Sequence, residues 1–270
     1  MQILIVFICI YTMRNIDVPV KLTNGDMLIS KNHIFICGNS HPECAINDSL
    51  LPKRFVNISN SGEHLFYTVK KVQDILWQTK NKVIIIEFTN NSLNTARWLF
   101  SNEFFLANFK KHIALLDFEG HLLLFKMNPF KYLKSFLSVT PNQIYKSKAI
   151  FNGGYLFLNK SKINEERIKK KLEIHSDENE KIGFTYLNRM VQKNKGTLFI
   201  LIRTPMHHNY TGRKNEKSFQ ECIHLLRKNR NCKLIDFNKI DFADSCFADD
   251  EHLNFKGAKL FTPIFLDSIN

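Results

Sequence analysis

Two stretches near opposite ends of the chain hold the residue types that acyl-transfer chemistry uses. In IFICGNSHPECAIND an apolar run stops at Gly38-Asn39-Ser40 and resumes as a helical pattern, and in FADDEHLNFKGAKLF the residues Asp249 and His252 stand three positions apart. A serine at such a strand-to-helix corner has its hydroxyl lifted above the sheet and its own N–H near a helix N-terminus, where negative charge is favoured. An aspartate three residues before a histidine can reach the imidazole Nδ1–H within one turn, fixing the tautomer and leaving Nε2 to face a hydroxyl. That is the orientation of a general base. Each feature also has an ordinary reading, because serine often caps helices and histidines often sit beside surface acids.

Other residues follow apolar runs in the same way. After RFVNISN comes Ser61-Gly62-Glu63, where Gly62 either offers an unhindered N–H to a reacting carbonyl or serves as a turn glycine. After KVIIIEFT come Asn90 and Asn91, whose side-chain amides either donate to a developing oxyanion or form a turn. His41, beside the serine, and the pair His207 and His208 in RTPMHHNY are candidates for substrate contact. A metal role for the pair is not expected. Neighbouring histidines on an extended segment point opposite ways, and no carboxylate set accompanies them in the sequence.

The elements that must position these residues read as alternating strands and helices. HIFICGN, KVIIIEFT, TLFILIRT and CKLIDFN are short apolar runs without period-two alternation, as expected of central strands covered on both faces, and RFVNISN reads as a weaker strand. Between them, GEHLFYTVKKVQDILWQTK sets Leu65, Val69, Val72, Ile75 and Leu76 on one helical stripe. EKSFQECIHLLRKN does the same with Phe219, Cys222, Ile223 and Leu226, ahead of the last run. The fold class is therefore α/β, a single-domain three-layer α/β/α sandwich with a mainly parallel central sheet. Such a sheet binds ligands outside the carboxyl ends of its strands. A helical insertion at about 92–195 is long enough to cap the sheet edge, although core packing is the better account of most of its aromatic residues.

Composition bounds the rest. The 270 residues are 44% apolar and 12% aromatic, enough for one sizeable core, and no linker divides them. We read an N-terminal apolar arm at 1–32 followed by one domain at 33–270. The formal charge of +13 comes from lysines and arginines scattered along the chain, without the arm, finger or aromatic signatures of a specific nucleic-acid binder. The six cysteines form no Cys-x-x-Cys pair. MQILIVFICIYTM, residues 1–13, is short for a membrane span and lacks a basic n-region. It reads as a secretory or anchoring segment, which places the protein outside the cytoplasm or on a membrane, or as a buried edge strand or apolar arm.

Taken together, the serine, glycine, asparagine and histidine follow in the order one crevice would need, and from Ile34 onward the chain resembles the SGNH, or GDSL-like, hydrolase superfamily of esterases and acyltransferases. Gly38-Asn39-Ser40 resembles its Gly-Asp-Ser block, and Asp249 and His252 resemble its C-terminal Asp-x-x-His; RTPMHHNY and HLNFKGAKLF are also similar to members. The resemblance implies a flavodoxin-like sandwich with Ser40 as nucleophile, His252 as base and Asp249 as its orienting acid. The oxyanion hole would come from Ser40, Gly62 and Asn90 (or Asn91). It implies no metal and no organic cofactor. The substrate would be an acylated carbohydrate or other small ester, hydrolysed by an O-acetyl esterase. The alternatives are a glycan O-acyltransferase using the same triad, or a non-catalytic glycan- or surface-binding protein that keeps the fold. Two positions depart from the pattern: Asn39 replaces the usual aspartate, and Phe88 stands where the third block has glycine.

Overall fold

Uninterrupted apolar runs become strands here because helices cover both faces of the sheet. The computed structural model describes residues 11, 21–22, 30–93, 102–151, 153–160, 181–210 and 216–269. Apart from Tyr11, the apolar segment 1–13 with Cys9 lies outside the described residues, as does nearly all of the charged stretch NEERIKKKLEIHSDENEK. Among the described residues, no helix is long and apolar enough to cross a membrane.

Seven strands are present among the described residues: β1 (Lys21–Leu22), β2 (Ile34–Cys37), β3 (Phe55–Asn57), β4 (Val83–Glu87), β5 (Ile150–Phe151), β6 (Leu198–Arg203) and β7 (Cys232–Asp236). Five of them form one parallel sheet in the order β3-β2-β4-β6-β7, and β1 pairs with β5 in a separate parallel ribbon. Counting only the five, this is the doubly wound order in which the first strand lies between the second and third. The chain leaves β2 and β4 toward opposite sides, so a crevice opens beyond their carboxyl ends.

Nine helices accompany the strands among the described residues: α1 (Ser40–Ala45), α2 (Leu65–Thr79), α3 (Asn102–His112), α4 (Phe118–Met127), α5 (Pro129–Leu137), α6 (Pro141–Ala149), α7 (Ile182–Lys193), α8 (Glu216–Arg227) and α9 (Phe255–Ile269). Alternate strand residues feed two cores. Phe35, Cys37, Ile84, Ile86, Phe199 and Leu201 pack toward α2, α7 and α8, and the same core takes in Phe109, Leu124, Tyr132 and Phe136 from the helices that follow β4. On the opposite face Ile36, Ile85, Ile200 and Ile202 pack with Phe237, Phe247, Phe261 and Phe265. Each fully buried side chain of this size contributes about 1.5–3 kcal/mol.

The helix α2 departs from a simple apolar stripe. Its Lys70 and Lys71 are both buried, and each ammonium has a carboxylate partner: Asp117 at 2.7 Å and Glu63 at 2.8 Å. Lys70 also lies 4.4 Å from the Tyr186 ring centroid. Lys71 donates to the Ile58 carbonyl (2.7 Å), while Glu63 also accepts from Thr68 Oγ1 (2.8 Å) and faces His112 Nε2 (3.0 Å). Burial opposes the charge on Glu63, but Lys71 and His112 overcome it and hold the carboxyl at about 2. Removing one partner of such a pair strands a buried charge. The substitution Lys71→Met is expected to destabilise the protein by about 3–5 kcal/mol, read as a fall in the urea midpoint; an unchanged midpoint would show that the ion pair is dispensable.

Candidate active site

The corner after β2 is shaped by a neighbouring strand. Cys37 pairs with Ile86, so one step further Gly38 lies against Glu87. A Cβ on residue 38 would fall 2.7 Å from Glu87 Cβ and 2.7 Å from Pro42 Cγ, a space only glycine fits. The chain then enters α1. Asn39 Oδ1 accepts the His41 N–H (2.8 Å) as the helix N-cap, and the Asn39 N–H donates to Glu87 Oε2 (3.0 Å). Ser40 is the first residue of α1 and half-buried.

The histidine is held from the other end of the chain. A bridge between Phe247 and Leu253 and the Ala248 N–H to His252 carbonyl bond (2.8 Å) close the 248–252 loop. Asn254 anchors it by donating to the carbonyls of Ser245 (2.8 Å) and Phe247 (3.1 Å), while its Oδ1 caps α9 through the Lys256 and Gly257 N–H groups. Asp249 Oδ1 accepts the N–H groups of Glu251 and His252, both at 2.9 Å. His252 Nδ1 lies 2.8 Å from Asp249 Oδ1, and its Nε2 lies 2.7 Å from Ser40 Oγ. Burial works against the Asp249 charge, yet His252 and the two backbone donors hold its carboxyl below the ordinary range. An ionised Asp249 takes the Nδ1–H, which leaves the Nε2 lone pair to accept the serine proton.

Two cysteines flank this corner without competing for the role. Burial pushes the thiols of both Cys37 and Cys44 up to about 12, so neither supplies a thiolate at neutral pH.

Gly62, with φ of 71°, sits in a turn closed by the Glu63 N–H to Asn60 carbonyl bond (3.0 Å). The turn is tied to the serine corner on one side, where the Asn60 N–H donates to the Gly38 carbonyl (3.0 Å) and Ser61 Oγ donates to Glu43. On the other side Asn108 Nδ2 donates to the Gly62 carbonyl (2.9 Å). The two asparagines after β4 differ in their partners. Asn90 is buried and donates through Nδ2 to Glu216 (2.8 Å), itself held by Arg203 (2.9 Å), whereas Asn91 accepts the Tyr210 hydroxyl (2.5 Å) on Oδ1.

The remaining histidines are placed differently from one another. His41 is buried at 3% exposure, with Nδ1 2.6 Å from Glu87 Oε1 and Nε2 3.7 Å from Glu251 Oε2. Burial alone would lower its pKa; the carboxylates of Glu87 and Glu251 outweigh it and hold the ring at about 10. His207 is buried and His208 exposed. The expectation that these two rings diverge is corrected by the structure: the chain turns there, with the Tyr210 N–H returning to the His207 carbonyl (2.9 Å), and the ring centroids lie 4.1 Å apart. A carboxylate accompanies them after all, since Asp244 lies 3.1 Å from His207 Nε2.

Two sets among the described residues bring three ligand atoms within 4.8 Å: His41, Glu251 and His252, and His207, His208 and Asp244. In each set a hydrogen bond engages a ring nitrogen that a metal would need. His207 Nδ1 accepts the Asn209 N–H (3.2 Å), so its Nε2 carries the hydrogen directed at Asp244. In the other set the Glu87 and Glu251 carboxylates favour the charged form of His41, and the His252 lone pair faces Ser40.

Glu87 and Glu251 are the residues that sequence reasoning passed over. Glu87 had a readable signal, a lone acid closing the apolar run KVIIIEF. Glu251 had none, being one of several acids in its loop.

No curated protein matches the sequence. A protein-family model matches residues 125–270; the chain belongs to the family it defines, which carries no descriptive name, and membership assigns no activity. Among solved structures the chain is similar to a Bacteroides fragilis protein assigned as an acylhydrolase, at 11% identity and TM-score 0.42 over 96% of this chain and 93% of that one. It is similar to a gut microbial diltiazem-metabolizing enzyme at 12% identity and TM-score 0.36, over 87% of this chain and 46% of that one. A carbohydrate esterase whose active site displays divergent catalytic and non-catalytic binding functions gives 12% and 0.36, over 90% of this chain and 66% of that one. Likenesses this distant carry no argument about chemistry.

The His41 ion pairs have a pH signature. A pKa raised from 6.5 to about 10 means that their contribution to stability is complete below pH 6.5 and is lost as pH rises toward 10. The melting temperature is expected to fall over that interval more steeply for the wild type than for His41→Gln; parallel slopes would remove the charge from His41.

Proposed function

We propose that the protein is a serine-dependent ester hydrolase of the carbohydrate O-acetyl esterase type. The observation that carries this reading is the unbroken chain of hydrogen-bonding atoms from Asp249 through His252 to Ser40, at 2.8 and 2.7 Å, at the switch point of the sheet. The carbohydrate class follows from the resemblance of the Gly38-Asn39-Ser40 and Asp249-x-x-His252 blocks.

In the first half-reaction Ser40 Oγ attacks the ester carbonyl carbon while His252 Nε2 takes the hydroxyl proton, and Asp249 steadies the imidazolium that forms. The carbonyl oxygen becomes an oxyanion, stabilised by the Ser40 and Gly62 N–H groups and the Asn90 or Asn91 amide; each such donor contributes about 3 kcal/mol in comparable sites. The tetrahedral intermediate collapses as His252 returns the proton to the leaving alcohol. Water then enters and attacks the acyl-serine carbonyl as His252 takes its proton; the second tetrahedral intermediate collapses, releasing the acid as His252 returns the proton to Ser40 Oγ. The residues named carry out every step.

Purified protein is expected to release acetate from acetylated sugars and from 4-nitrophenyl acetate, and to be labelled by a fluorophosphonate. Ser40→Ala should lose both activity and labelling, and Asp249→Asn should lower kcat by about 10³–10⁴. Acetyl recovered on a sugar acceptor in place of free acetate would make the protein a transferase. An unlabelled, inactive wild type, under conditions that label a known serine esterase, would leave only a binding role.

A further inference from the structure

Both ring nitrogens of His41 face carboxylates, and those carboxylates belong to different parts of the site. Nδ1 meets Glu87 Oε1 at 2.6 Å, at the end of β4; the other oxygen of the same carboxylate accepts the Asn39 N–H at 3.0 Å. Nε2 lies 3.7 Å from Glu251, the residue before His252. His41 itself follows Ser40, and its ring centroid is 5.3 Å from that of His252. A single buried ring thus touches the end of the central strand, the start of the helix bearing the serine and the loop bearing the histidine. We propose that His41 is a positioning residue: as an imidazolium bridging Glu87 and Glu251, it locks the Ser40 corner to the His252 loop and holds the Ser40–His252 bond in register. This rests on the serine-hydrolase reading above.

The chemistry makes the bridge specific to a cation with two donors. A neutral imidazole can donate from one nitrogen only and would leave the other carboxylate facing a lone pair. Glutamine fills a similar space but carries no charge, so Glu87 and Glu251 would lose the attraction that draws their segments together. Displacing one reacting group by about 1 Å can cost on the order of 100-fold in rate, while the ring itself is only 3% exposed and so offers little surface to a substrate.

The test uses 4-nitrophenyl acetate, with functional sites counted by fluorophosphonate titration so that rates refer to competent protein alone. His41→Gln is expected to lower kcat per titrated site by about 30–100-fold with KM within about twofold. Glu251→Gln, at a partly exposed position that leaves the core intact, should lower kcat less. The double variant should fall no further than His41→Gln, because both changes break one bridge. If kcat per titrated site in His41→Gln matches the wild type, or if the two losses multiply, the bridge is overturned while the triad stands. A wild type that neither turns over the ester nor takes the label overturns both.

Discussion

The 2.7 Å hydrogen bond between Ser40 and His252 joins residues 212 positions apart, and the parallel sheet is what brings them together. All five strands end at one edge, so residues that follow different strands meet there whatever their separation in sequence. Loop-closure entropy grows slowly, by about 0.6 kcal/mol for each doubling of length, and burial of the two cores outweighs it. Neither partner depends on a long, free side chain. Ser40 is set by the Asn39 cap and the Gly38 close approach, and His252 is set by the Phe247–Leu253 bridge and the Asn254 anchors. Fixing reacting groups through the backbone is what gives such a pair its geometry before a substrate arrives.

Buried charge is concentrated around this corner. Glu87, His41 and Glu251 lie beneath it, and Glu63, Lys71 and His112 hold the turn that carries Gly62. Desolvating such groups is costly, and well-packed apolar residues of the same volume would often be as stable. What the ion networks add is direction, since a carboxylate accepting two or three donors fixes the backbone that supplies them. Glu87 joins a backbone N–H to an imidazolium, and Glu63 joins an ammonium, an imidazole and a hydroxyl.

The strands were legible in the sequence because burial on both faces leaves uninterrupted apolar runs, and the residues just after them could be singled out by position alone. The buried ionic partners were not. Lys70 and Lys71 are inside because Asp117 and Glu63 meet them there, and Asp117 lies 47 residues from Lys70. His41 looked like a group facing the crevice, yet a one-dimensional pattern holds no sign of two carboxylates converging on it from β4 and the far loop. The paired rings of His207 and His208 were hidden by a local effect, a turn where the neighbouring strand suggested extended chain.

The two positions at which the chain departs from the SGNH-like pattern it resembles, Asn39 and Phe88, lie at the same strand ends. At position 39 the structure uses a side-chain oxygen to cap α1 and a backbone N–H to bind Glu87. Asparagine supplies the oxygen as well as aspartate would. Aspartate would add a negative charge within one residue of a backbone group already bound to Glu87, and Glu251 lies across the His41 ring. That charge would stand next to the Glu87 carboxylate, and like charges in a partly buried setting repel with little screening. The bulk at Phe88 acts on the other side of the same strand end: its ring is fully buried against Phe219 and Phe184, which leaves Glu87 at the C-terminus of β4 facing the serine corner. An uncharged side chain at 39 thus caps α1 without placing a second negative charge beside Glu87.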